Sequence, residues 1–252
     1  MTAALALARR WVTDYFNRHD AAAARAFCAP DYALRIGDVV LAGRDAAWLP
    51  AVDAQMRDYP GLAMTVHEAI AGEGWAALWF SEHGARGGAA AVWSGVAIYE
   101  EAGGLLTGCI AQEDYWTRRR QLKSGAADAV DRPAVAPWDA GPEAPAAGWE
   151  DAVTGWAAGG WPRPEVVADD EHITGEALEF EVAASEVRAL RASGDRVAFA
   201  LRQRGTYRGG LGGAPGPDFL DANGIVRVDG GRVISGRVIR DRMGLHRRRA
   251  AA

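Results

Sequence analysis

Apolar positions at Leu5, Leu7, Ala8, Trp11, Val12, Tyr15 and Phe16 follow helical i, i+3, i+4, i+7 spacing and predict a first helix through Arg18. Asp20 is placed to cap a second helix, Ala21 to Cys28, ended by Pro30. Asp31 to Leu41 reads as a short strand pair around Gly37-Asp38, and Gly43-Arg44-Asp45 opens a third helix, Ala46 to Tyr59, stopped at Pro60. The period then changes to alternation, giving strands at about 62–71, 75–83, 89–100 and 105–116. Three helices followed by an antiparallel meander predict an α+β domain.

The pattern is written a second time. Asn223 to Leu245 holds two β-branched runs around Asp229-Gly230-Gly231, a strong hairpin signal, with Asp241 at the far end. Ser94 to Tyr99, the Gly103-Gly104 turn and Leu105 to Asp114 form the looser first version. Upstream, Gly72 to Gly87 aligns without gaps with Ser193 onward, so the chain reads as two copies of one domain. The expected boundaries are 1–122, a Pro/Ala-rich linker at 123–147, and 148–252. In the second copy one helical piece, Trp149 to Ala158, precedes Trp161-Pro162-Arg163-Pro164 and strands at about 165–173, 178–191, 195–205, 222–229 and 232–242. This copy lacks at least one covering helix. A sheet so exposed is expected to pack against its sister as a pseudo-dimer, with a further homodimer left open.

Composition narrows the function classes. Of 252 residues, 49% are hydrophobic and 24% charged, and the net charge of −5 offers no electrostatic footprint for nucleic acid. Arg247-Arg248-Arg249 reads as a solvated tail. The two cysteines, Cys28 and Cys109, supply neither a disulfide framework nor a zinc set, and both are expected in the core. No apolar run approaches the ~20 residues that span a bilayer, and Met1 to Ala8 lacks a preceding charged region, so no membrane partner and a cytoplasmic location are expected. Gly209 to Gly216 lacks the Lys-Ser/Thr of a phosphate loop and reads as a strand connection.

Ala29-Pro30-Asp31-Tyr32, Gly43-Arg44-Asp45-Ala46, Tyr59-Pro60-Gly61-Leu62, the Gly-rich turn into paired strands, and Asp114 seven residues before Gln121-Leu122 are similar, in this order, to the SnoaL-like polyketide cyclase branch of the nuclear transport factor 2-like superfamily. Gly205-Thr206-Tyr207 and Asp241 to Leu245 resemble the same pattern in copy two. The resemblance implies a cone-shaped domain, helices over a curved sheet with a deep pocket between, and cofactor-independent chemistry by an aspartate on the last strand. By motif position that residue is Asp114, with Asp241 its second-copy equivalent.

Proton abstraction beside a carbonyl needs a carboxylate in an apolar pocket and a donor for the enolate. Alternation places Gln112 on the face of Asp114, as the amide donor beside the base. Along strand 75–83, Ala76, Leu78, Phe80 and Glu82 face the pocket, whereas Trp75, Trp79, Ser81 and His83 face away; Glu82 and His83 are both kept as catalytic partners of Asp114. Tyr15 is a phenol donor or core residue. Trp11, Trp48, Trp79 and Trp93 suit equally a flat aromatic substrate or a domain interface. Arg237, Arg240 and Arg242 around Asp241 favour an ion pair there. The expected function is a cyclase or isomerase acting on a polyketide-like hydrophobic carbonyl compound in secondary metabolism, of the kind used in antibiotic biosynthesis, without cofactor or metal and with copy one active. A dehydratase or epoxide hydrolase, and a non-catalytic binding or scaffold protein, are the alternatives.

Overall fold

The structure is a computed structural model that describes residues 1–159 and 166–251. The expected Trp161-Pro162-Arg163-Pro164 segment and the start of the strand expected from 165 lie outside them.

The first domain opens with α1 (Ala3–Arg10), capped by the Thr2 hydroxyl, which accepts from the Leu5 amide at 3.2 Å. The helical path continues through a wide turn at Trp11–Tyr15 and a tight one at Phe16–Arg18, and ends at His19 in the left-handed region (φ 55°). The Asp20 carboxylate accepts from the Ala22 and Ala23 amides and starts α2 (Ala21–Phe27). Then come β1 (Cys28–Ile36), β2 (Val39–Ala42), a helical turn at Arg44–Trp48, α3 (Leu49–Asp58), β3 (Ala63–Gly72), β4 (Trp75–Arg86), β5 (Ala89–Ala102), β6 (Leu105–Glu113) and α4 (Tyr115–Ser124). The second domain holds α5 (Trp149–Ala158), β7 (Val167–Ala168), α6 (Glu171–Thr174), β8 (Glu179–Ser193), β9 (Arg196–Gly209), β10 (Gly216–Asp229), β11 (Arg232–Arg240) and α7 (Arg242–Ala250).

The sheets run β2-β1-β6-β5-β4-β3 and β7-β11-β10-β9-β8. β1 lies parallel to β6 and β7 parallel to β11, and the other pairings are antiparallel. The second sheet thus repeats the first without β2, and the α+β architecture of two tandem sheets under helices is present.

Register decides which face each side chain takes. Ala76, Leu78 and Phe80 of β4 lie opposite Tyr99, Ala97 and Gly95 of β5, which lie opposite Cys109, Ala111 and Glu113 of β6. This face carries the core shared with Leu5, Trp11, Tyr15, Trp48 and Met56 from the helices. The other face, with Trp75, Ala77, Val96, Ile98 and Ile110, packs on Ala189, Ala198, Ala200, Ile225 and Ile239 of the second sheet. The sheets therefore stand back to back as an intramolecular pseudo-dimer, and each covers apolar surface that the other would expose. Asn223 ties them across this plane, its Nδ2 donating to the carbonyls of Val96 (3.2 Å) and Ile110 (3.0 Å).

Four expectations are corrected. The strand expected over 105–116 stops at Glu113, because Asp114 turns the chain into α4. The strand expected to 242 stops at Arg240, because Asp241 starts α7. In the stretch expected as strand 165–173 only Val167–Ala168 pairs, and Glu171–Thr174 is helical. Arg248 and Arg249 are not part of a solvated tail: with the exposed Arg247 they lie on α7, where Arg248 Nε bonds Asp218 at 2.8 Å and Arg249 bonds the Ala214 and Pro217 carbonyls. Within the linker, Trp138 and Ala140 pack on the first-domain core.

Candidate active site

Three aromatic side chains from the helical layer meet inside the first cone. The rings of Trp11 and Tyr15 lie 5.8 Å apart and those of Tyr15 and Trp48 5.3 Å apart, both edge to face. Trp11 Nε1, the Tyr15 hydroxyl and Trp48 Nε1 are buried with no hydrogen-bond partner. Three unmet donors in an apolar cage are costly unless something accepts from them.

The sheet supplies two carboxylates. Glu82, 2% exposed, stands opposite Trp93, and Glu113 stands opposite Gly95. Gly95 is required here: a Cβ would run into the Phe80 ring and come within 3.1 Å of Glu113 Cγ. Gln55 of α3 donates to Glu82 Oε2 at 3.0 Å, and Trp93 Nε1 donates to Glu113 Oε2 at 3.0 Å. Arg118 of α4 lies over Tyr115 (4.2 Å), Tyr59 (5.0 Å) and Trp93 (5.0 Å).

Burial raises the pKa of both carboxyls, but not equally. Glu82 is pushed far above the ordinary glutamate value, first by burial and then by the charge of Glu113. Glu113 is raised by burial and held back by the Trp93 N–H, the Arg118 charge and the Tyr115 phenol. The two carboxyls titrate as a pair, with Glu82 raised further than Glu113, and such a separation is what an acid and a base sharing one site require. Burial also holds the Tyr15 phenol protonated.

Of the residues singled out in the sequence, Glu82, Phe80, Trp93 and Tyr15 lie in this cone, with Trp11 and Trp48. Asp114, Gln112, Trp79 and His83 do not. Gln112 lies opposite Val96, on the inter-sheet face, so it is not an amide donor inside the cone. Asp114 is the first-turn cap of α4: it accepts from the Thr117 amide (3.1 Å) and hydroxyl (2.6 Å), while Arg242 Nη2 reaches both its oxygens at 2.7 and 2.6 Å. Burial raises its pKa and Arg242 opposes the rise. With its lone pairs committed to a guanidinium from the other domain, Asp114 is unfit as a pocket base. His83 is on the opposite face of β4 from Glu82, and Trp79 lies between His67 (5.0 Å) and Arg237 (5.7 Å). Asp241 caps α7 through the Gly244 amide (2.8 Å), and the ion pair expected for it is made with Arg248 at 4.0 Å, not with Arg237, Arg240 or Arg242. Arg240 turns to Asp169 and Glu171, and Arg242 to Asp114, Asp169 and Asp170.

Sequence reasoning missed Glu113. Its signal was the alternation Cys109, Ala111, Glu113, which places it beside the Glu82 row once β5 is laid between them. The same face of the second sheet carries Val197, Phe199, Leu201, Ala222 and Val238 against Val153 and Ala157 of α5, with no carboxylate pair. Among the described residues no three His, Cys, Asp or Glu side chains converge as a metal site, and no helix is long and apolar enough to cross a membrane. Burial pushes the Cys28 thiol up to about 12, and Cys109 also rises.

The profile of the SnoaL-like domain matches residues 8–108. Over that stretch, less than half of the chain, the first domain is similar to the SnoaL-like family. None of the curated proteins has a significant sequence match to the chain. Solved structures similar to the chain include IdmH from Streptomyces antibioticus, a candidate polyketide cyclase, at 17% identity over 47% of this chain and 96% of that one (TM-score 0.43). A candidate SnoaL-like polyketide cyclase from Jannaschia sp. CCS1 matches at 13% identity over 48% and 91% (TM-score 0.43). An LEH-like epoxide hydrolase of M. tuberculosis matches at 14% identity over 49% and 91% (TM-score 0.42). Glu82 lies within the matched stretch and Glu113 just beyond it, and the Asp114–Arg242 pair joins the first domain to the second.

Proposed function

We propose that the first domain is a general acid/base enzyme acting on a flat, hydrophobic carbonyl compound, with Glu113 as base and Glu82 as the neutral acid. A buried Glu82 and a half-buried Glu113 on one apolar sheet face, both raised in pKa, carry this reading. Glu113 takes a proton from carbon beside the carbonyl, and the enolate oxygen is met by a neutral donor from the cone, Tyr15 or an indole N–H of Trp11 or Trp48. Glu82 returns a proton to the rearranged product, which is the requirement of a ring-closing aldol reaction or an isomerisation. The second domain acts as the built-in partner that covers the back of the catalytic sheet. The Glu82 proton and Glu113 carboxylate also suit a reaction in which the acid opens an epoxide or expels a hydroxyl while the base handles water.

Exchange in heavy water separates these readings without knowledge of the natural product. The protein is incubated with flat aromatic ketones carrying acidic α-hydrogens, and deuterium entry is followed by NMR. Wild type is expected to accelerate exchange, and Glu113→Gln to lose it by at least ~100-fold, the usual contribution of a positioned base. Undiminished exchange in Glu113→Gln sinks the assignment. Oxygen-18 entry from water into an epoxide probe, without ketone exchange, selects the hydrolytic reading.

A further inference from the structure

A cleft of about 380 Å³ opens between the two sheets, remote from the cone, lined by Trp79 and Glu68 of the first domain and by Ile225, Val226, Ser235 and Arg237 of the second. Arg237 is 7% exposed, yet no carboxylate lies within 4 Å of its guanidinium among the described residues. Its one side-chain hydrogen bond runs from Nη2 to the Ser94 hydroxyl at 3.2 Å, and its buried Nε has no partner. Trp79 Nε1, at the same cleft, is also buried and unmet. The neighbouring arginines show the contrast, since Arg240 and Arg242 are each engaged by two or more carboxylates. Asp131, Asp114, Asp169 and Asp170 act on the Arg237 charge only from beyond ion-pair distance, so an anion entering the cleft meets a buried cation with no direct counter-ion among the described residues.

We propose that this cleft is a second binding site, for an organic monocarboxylate with a compact apolar body. The carboxylate accepts from the Arg237 guanidinium, and the body lies on the half-buried Trp79 ring. Of the charges lining the cleft, Arg196 is paired with Glu68 at 2.6 Å and Arg227 with Asp195 at 2.7 Å, which leaves Arg237 and Asp131 without an ion pair among the described residues; Asp131 weakens the pull of Arg237 on an anion. The volume suits a ligand of two fused rings.

The test uses the full chain with 2-naphthoate, and 2-naphthylmethanol as its uncharged counterpart, by calorimetry. Naphthoate is expected to bind at least tenfold tighter than the alcohol. Arg237→Met should weaken it at least tenfold, and Asp131→Asn should tighten it, an effect that a purely structural Asp131 would not produce. Ser235→Trp fills the cleft from its half-buried rim and should abolish binding, and it decides the matter if Arg237→Met fails to fold. Glu113→Gln should bind naphthoate as wild type does, which separates this cleft from the cone. No binding at millimolar naphthoate, or binding unchanged in Ser235→Trp, overturns the proposal.

Discussion

Glu82 and Glu113 sit one strand apart on a sheet face that is otherwise apolar, and their proton has a measurable signature. The native pKa of Glu82 lies well above its ordinary value of 4.5, so between the two values the folded state holds a proton that the unfolded chain has released. That contribution to stability is complete below about pH 4.5 and is lost as pH rises through the native value. The melting temperature of wild type should therefore fall more steeply above about pH 5 than that of Glu82→Gln, which carries no titrating proton there. Parallel curves for the two proteins would show that Glu82 is ionised. The same pair sets the rate profile: activity rises as Glu113 ionises and falls as Glu82 loses its proton, with both limbs displaced above 4.5. Glu82, which alternation put on the row of Ala76, Leu78 and Phe80, does share their face of β4, toward the first-domain core. Its partner was obscured because a strand's period tells which residues share a face but not which face looks inward. Only the pairing of Glu113 with Gly95, and of Gln112 with Val96, orients β6.

At the scale of elements, the aspartates singled out by motif position both begin the last helix of their domain. Asp114 caps α4 and Asp241 caps α7, each with its own amide bonded back to the neighbouring strand, at Ser94 and Asp221. They differ in what else they hold. Removing the charge of Asp114 leaves Arg242 with Asp169 and Asp170 but without its closest bidentate partner, so Asp114→Asn should cost about 3 kcal/mol in denaturant unfolding. Asp241→Asn keeps a competent cap and should cost under about 1 kcal/mol. At a temperature where it is folded, Asp114→Asn should retain α-proton exchange; its loss in a fully folded protein would return Asp114 to the chemistry. Gly95→Ala is the matching test inside the cone. The added methyl meets the Phe80 ring and crowds Glu113, so stability should fall by about 1–3 kcal/mol and exchange with it. Helix starts at Asp20 and the strand boundaries of the meander were readable because capping and turn residues act over three or four positions. The helices after Asp114 and Asp241 were hidden because their arginine-rich sequences carry little apolar periodicity; tertiary ion pairs hold them in place.

For the molecule as a whole, the repeat in the sequence is matched by two sheets with one strand order, and the missing helices of the second copy by a sheet that leans on its sister. A chain comprising residues 1–124 alone should aggregate or self-dimerise, since Trp75, Val96, Ile98 and Ile110 would be exposed together with an unpaired Asp114. Light scattering on that fragment checks this, and a well-behaved monomer would argue against an obligatory back-to-back partner. Distance along the chain, however, is also time. Asp114 and Arg242 are 128 residues apart, so at about 5–20 residues per second the ribosome supplies the second partner of this pair roughly 6–26 s after the first. For that interval the nascent first domain carries an uncovered adhesive sheet, and a chaperone that shields it would govern how much of the protein survives its own synthesis.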